Sequence, residues 1–124
     1  MKQGTITGSC HCGAITFELA RAPSEVTSCN CSICRRLGTL WAYYEPADVR
    51  VAGATTTYRW GDRTLDFHHC AACGCSTHWS PISGAREQMN RMGINARLLD
   101  PEILAAARVR RLDGASEDWK YLDD

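Results

Sequence analysis

Hydrophobic and polar positions alternate in short runs along most of the chain, and the runs stop at Gly, Pro or Asp. That texture predicts strands and turns rather than long helices. In "AITFELA", Ile15, Phe17 and Leu19 fall on one face of a strand, with Thr16 and Glu18 on the other. "GTLWAYYE" and "DVRV" read as further strands, as do "RMGINARLL" and "RVRRL" later on. "TTTYRWGDRTLDFHH" predicts a hairpin closed by a two-residue turn at Gly61-Asp62. That turn would set Tyr58 opposite Leu65 and Thr56 opposite Phe67, with the apolar positions on one face. "DPEILAAA" carries a helix start, with Asp100 as N-cap, Pro101 at the first position and Glu102 in the first turn. Side-chain parity breaks near Gly13. Ile6 shares a face with Cys10 and Cys12, whereas Ile15, Phe17 and Leu19 have the other parity, which predicts a bulge or bend. The pattern as a whole predicts a mainly-β protein with one short helix.

The 124 residues suit a single domain spanning 1–124, and no repeat, low-complexity tract or linker divides them. Lys+Arg and Asp+Glu are both 14. The chain thus lacks the basic excess of a nucleic-acid binder, its only basic pairs being Arg35-Arg36 and Arg110-Arg111. "MKQGTITGS" has no apolar core of a signal peptide, and no apolar run approaches the roughly 20 residues that span a bilayer. The expected partners therefore include neither nucleic acid nor membrane, and the expected compartment is the cytoplasm.

A reducing compartment changes the meaning of eight cysteines, which there read as metal ligands or catalytic thiols rather than a disulfide framework. They form three clusters: Cys10 and Cys12; Cys29, Cys31 and Cys34; Cys70, Cys73 and Cys75. All four histidines (His11, His68, His69, His78) lie in or beside them. "CAACG" at 70–74 is a zinc-knuckle pattern, with Gly placed where the turn needs positive φ. A redox pair would sit at a helix start in a βαβ setting, whereas this one follows a hairpin strand. A knuckle supplies two ligands and a structural zinc takes four. Cys10 and Cys12, at i and i+2 of a strand, would supply the others. "SCNCSICRRLG" places three thiolates in one short segment. Three protein ligands with an open fourth position is the arrangement of a catalytic zinc. The alternative is a second closed site, completed by Cys75 or a nearby histidine.

The full pattern is C-x-C-G near the start, C-x-C-x-x-C-R-R about twenty residues later, and C-x-x-C-G after a hairpin. It resembles the glutathione-dependent formaldehyde-activating enzyme family, which includes the centromere protein V domain. "INARLLDPEIL…RVRRLDG" is similar to the family's closing strands. The resemblance implies a β-tent of small coiled antiparallel sheets built around zinc, with two zincs per chain. Cys10, Cys12, Cys70 and Cys73 would hold a structural ion, and Cys29, Cys31 and Cys34 a catalytic one. It implies a carbon–sulfur lyase run in reverse, joining glutathione and formaldehyde as S-hydroxymethylglutathione. The competing expectation is a non-catalytic module with two structural zincs that binds a protein partner. Cys75 is an addition to the family's seven cysteines.

Other residues carry weaker signals. Arg35 and Arg36 read as a solvated turn, or as groups that lower thiol pKa values or receive a carboxylate. His68 and His69 read as satisfied or exposed strand histidines before a proton shuttle, and His11 as a non-ligand. Trp41, Tyr43 and Tyr44 read as packing before walls of a pocket. Trp119 and Tyr121 read as anchors for the C-terminal tail.

Overall fold

The structure is a computed structural model and describes residues 4–61, 63–82 and 89–123. Among these, eleven strands and two short helices follow in order. They are β1 (Ile6–Ser9), β2 (Thr16–Leu19), β3 (Glu25–Cys29), α1 (Ser32–Leu37), β4 (Trp41–Tyr44), β5 (Val49–Ala52) and β6 (Thr55–Tyr58). After these come β7 (Leu65–Cys70), β8 (Ser76–Pro81), β9 (Met92–Asn95), α2 (Pro101–Ala106), β10 (Arg108–Asp113) and β11 (Lys120–Tyr121). The mainly-β expectation holds. Two features go beyond it: α1 is a second helix, and β3 pairs with β10 in parallel, Val26 opposite Val109. No helix among the described residues is long and apolar enough to cross a membrane.

A three-stranded sheet, β1-β2-β5, lies beside an eight-stranded sheet ordered β11-β10-β3-β4-β9-β8-β7-β6. Ile15, Phe17 and Leu19 are fully buried, as their alternation requires, and join Val26, Ala42, Tyr44 and Ile94 in the main core. α2 begins as expected, with the Asp100 carboxylate accepting from Glu102 N at 2.8 Å and Pro101 in the first turn.

Strand β4 sits inside the large sheet, and its two faces serve different ends. Ala42 and Tyr44 enter the main core, while Trp41 and Tyr43 join a second cluster with Cys29, Cys31, Cys34, Phe67 and Trp79. Strict alternation of side chains thus separates the core from the site.

Two expectations need correction. Cys10 and Cys12 do not lie at i and i+2 of a strand, since β1 ends at Ser9, and of the bulge or bend expected near Gly13 the structure shows the bend. Cys10–Gly13 form the reverse turn between β1 and β2, closed by Gly13 N–H to Cys10 O at 3.2 Å, with Ser9 opposite Thr16. The parity break is the turn of a hairpin. The hairpin at 55–70 is shifted by two residues: Tyr58 faces Phe67, and Thr56 faces His69. Its loop is longer than two residues: Arg59 and Asp66 pair across it at 2.6 Å, and Arg63 N–H closes a turn onto Trp60 O. A shift of two preserves the faces, so the predicted apolar face survives.

Candidate metal centres and pocket

The first cluster is built by two turns from distant parts of the chain. One is the Cys10–Gly13 turn; the other joins β7 to β8, where Gly74 N–H reaches Cys70 O and Cys70 N–H reaches Cys75 O, both at 2.9 Å. Gly13 and Gly74 have φ of +82° and +81°, a conformation a side chain would oppose. The Sγ atoms of Cys10, Cys12, Cys70 and Cys73 lie within 4.8 Å of one another. Cys10–Cys12 is 3.7 Å and Cys12–Cys70 is 3.6 Å. Four thiolates about 2.3 Å from a tetrahedral zinc would be about 3.8 Å apart, so this donor set fits that ion. Ile15 N–H donates to Cys10 Sγ at 3.3 Å and Cys73 N–H to Cys70 Sγ at 3.5 Å, spreading the charge that four thiolates would bring. The Cys73 thiol is held down to about 5, first by the Cys75 amide. Cys12 and Cys73 are the more exposed ligands, Cys10 and Cys70 the buried ones.

Cys75 lies with this first group, packed against the main core and interacting with Cys73 and Cys10. Its sulfur is not grouped with those of the second cluster. His11 is exposed and contributes no ligand atom to either group.

The second cluster is local. Cys29 ends β3, Cys31 is the N-cap of α1 and Cys34 lies in that helix, which stops at Gly38 in the left-handed region. All three are buried, with their sulfurs within 4.8 Å of each other and no fourth ligand grouped with them among the described residues. Three soft donors on one side of a space suit zinc with one position free. Cys31 N–H donates to Cys29 Sγ at 3.5 Å, and Trp41 Nε1–H to Cys34 Sγ at 3.3 Å. The Cys34 thiol holds Cys29 down to about 6, and sharing with Cys29 raises Cys34 in turn. Gly114, after β10, passes so close that a Cβ there would meet Cys29 Sγ at 2.8 Å. Arg35 is exposed, and Arg36 bonds back to the Ser32 carbonyl at 2.8 Å, which agrees with a solvated helix end.

A cavity of about 710 Å³ opens onto these three cysteines. Its walls include Trp41, Trp60, Trp79, Trp119, Tyr43 and Phe67, so every tryptophan of the chain faces it. Trp41 and Tyr43 thus line the pocket, whereas Tyr44 points into the core and donates to Arg21 O at 2.9 Å. Sequence reasoning missed Trp60, Trp79 and Arg91. The clue available was four tryptophans in so short a chain. A hollow of about 520 Å³ adjoins the cavity across Ile33, Trp60 and Phe67.

The histidines are occupied elsewhere. His68 bonds Thr55 Oγ1 at 2.7 Å and Ser80 Oγ at 2.8 Å and stacks on His78 at 3.9 Å. His69 bonds Thr56 Oγ1. Burial holds His78 down to about 3. Tyr121 anchors the tail through Thr27 Oγ1 at 2.9 Å, with the Arg110 guanidinium over its ring. Trp119 is instead half in solvent at the pocket.

Two sheets joined by a four-cysteine group, and a three-cysteine group under an aromatic pocket, make a mainly-β protein with two cysteine groups that could hold metal ions. The chain belongs to the glutathione-dependent formaldehyde-activating enzyme family, whose sequence profile matches residues 5–111. It is also similar to a protein of Rhodobacter sphaeroides known from its crystal structure. That likeness is 33% identity over 84% of this chain and 99% of the other, with a TM-score of 0.66.

Proposed function

We propose that this protein is a zinc-dependent carbon–sulfur lyase acting on a thiol adduct, and that its family's reaction is the model. Glutathione and formaldehyde would give S-hydroxymethylglutathione. The sulfur forms a bond to the carbonyl carbon, the C=O π bond breaks, and the thiol proton ends on the new hydroxyl. The observation that carries this reading is the trio Cys29, Cys31 and Cys34, which faces a cavity and has no fourth protein ligand grouped with it among the described residues. Zinc held there would keep a substrate thiol ionised near neutral pH or polarise the aldehyde oxygen. The chain's own part is to hold two reactants together in a pocket of low polarity, and proximity alone supplies much of the gain for an aldehyde this reactive. Trp41 fixes Cys34 by its N–H, and Gly114 leaves room for Cys29.

Cys10, Cys12, Cys70 and Cys73 would hold a structural zinc that ties the β1–β2 hairpin to the β7–β8 hairpin. The competing module reading drew on Cys75 as the ligand closing the second site, and Cys75 lies with the first cluster instead. We take the chain as one domain that works in the reducing cytoplasm. Native mass spectrometry of reduced protein tests the reading by counting zinc before and after glutathione is added. Two zincs with a glutathione adduct, or the second zinc drawn off, are expected. Two zincs untouched by glutathione would overturn it.

A further inference from the structure

The cavity of about 710 Å³ has to take a tripeptide thiol as well as an aldehyde, so it is the lining, not the volume, that bears on the aldehyde. Its walls are the wrong kind for formaldehyde, which is small and polar. All four tryptophans converge on it from separate elements, joined by Tyr43 and Phe67. Among the described residues, the charged side chains lining it are Arg91 and Glu117. Both are exposed, so they stand at the mouth, and Arg91 is held over the Tyr43 ring at 4.7 Å.

Backbone conformation adds a second observation. Among the described residues, the positive φ values outside glycine belong to Arg63, Glu117 and Trp119, at +59°, +65° and +54°. Glu117 and Trp119 line the cavity, and Arg63 lies between Gly61 and Thr64, which also line it. A tryptophan in the left-handed region is strained, and such strain collects at ligand sites, where the surrounding structure fixes it. Trp119 thus lines the cavity from a backbone conformation that side-chain-bearing residues rarely adopt.

We infer that the aldehyde this site takes carries an apolar, ring-sized body, which lies among the tryptophans while its carbonyl carbon faces the Cys29/Cys31/Cys34 trio. This rests on the lyase reading for its chemistry, and it replaces formaldehyde as the preferred partner. The polar thiol enters from the mouth, where Arg91 and Glu117 offer one charge of each sign. The product is a hemithioacetal: a C–S bond forms, the C=O π bond breaks, and the thiol proton passes to oxygen.

The test uses zinc-loaded protein with phenylacetaldehyde and, as its ringless counterpart, acetaldehyde. Binding is read from tryptophan emission, since all four fluorophores line the cavity. Exchange between each aldehyde and its glutathione hemithioacetal is read by proton NMR. Phenylacetaldehyde is expected to bind at least tenfold more tightly than acetaldehyde and to exchange faster. Trp60→Ala and Trp119→Ala should each weaken its binding about fivefold or more. These residues are 38% and 56% exposed, so their loss leaves no core cavity. Equal binding of the two aldehydes would overturn the inference. The lyase reading would survive that result if formaldehyde exchange with glutathione were still accelerated. Selective phenylacetaldehyde binding with no exchange accelerated for any aldehyde would overturn the lyase reading and leave the pocket's preference standing.

Discussion

Replacing Gly114 with alanine should damage the second candidate metal centre and spare the first. An added Cβ would lie 2.8 Å from Cys29 Sγ, 3.1 Å from Cys31 Cβ and 2.6 Å from the Trp119 ring. Favourable contacts between carbon atoms lie at about 3.5–4.0 Å. Trp119 can swing toward solvent. Cys29 and Cys31 cannot, because one is paired in β3 opposite Leu112 and the other caps α1, and both are buried. Overpacking of this kind costs about 1–3 kcal/mol. If it falls on the metal-bound arrangement, affinity for the second zinc drops about 5- to 150-fold. The assay is zinc competition with a chromophoric chelator, which resolves a tight and a weaker site. The expected result is one zinc held as in the parent and one lost earlier, with the thermal transition of the first-site fold kept. Two zincs with unchanged affinities would refute the placement of Gly114 against the site.

Cys73→Ser should give insoluble or poorly folded protein, because a zinc held by the first four cysteines would add its binding energy to folding, about 10–16 kcal/mol in zinc-finger peptides. Soluble yield and thermal melting check this, and an unchanged melting temperature would contradict it. Cys75→Ser should retain two zincs by native mass spectrometry, since its sulfur lies with the first cluster and is not one of the four grouped ligands there. Loss of the second zinc would show that the site is closed by Cys75. His78 gives a pH prediction. Burial lowers its pKa to about 3 in the folded state against roughly 6.5 unfolded, so only the unfolded chain takes up the proton between those values. Its contribution is complete above about pH 6.5 and is lost as pH falls, by about 2 kcal/mol at pH 5. Urea denaturation at pH 7.5 and 5 should show that extra loss in the parent relative to His78→Gln. Equal losses would contradict it.

What was legible in the sequence followed local rules. The alternation of Ile15, Phe17 and Leu19 and the cap at Asp100 needed only neighbours in the chain. The hidden elements lacked a local signature. Strand β3 buries Val26 and Thr27 in succession, so it shows no alternation, and its partner β10 lies some eighty residues away. Strand β8 reads as polar, yet Thr77 and His78 are buried and bond to each other at 2.9 Å. Helix α1 has six residues, and its N-cap is Cys31 with no side-chain hydrogen bond, so the usual cap signal is missing. The hairpin register differs by two because β6 ends at Tyr58 and β7 begins at Leu65, with Arg59 and Asp66 paired across the loop, instead of closing on a two-residue turn.

The same division explains why candidate ligands were easier to find than the pocket. Cysteine spacing is itself the signature of a metal group, because a turn of fixed size must bring the sulfurs together. The tryptophans come from β4, from the loop after β6, from β8 and from the segment before β11, and no spacing relates them. Only the sheet order places them together: β3 and β4 are neighbours, and β9 and β8 lead from there to β7. Trp41 is the junction, since its ring walls the cavity while its N–H holds Cys34. If the trio holds zinc as proposed, the residue that positions Cys34 would also help select what approaches it, a choice that cysteine spacing does not carry and the sheet order does.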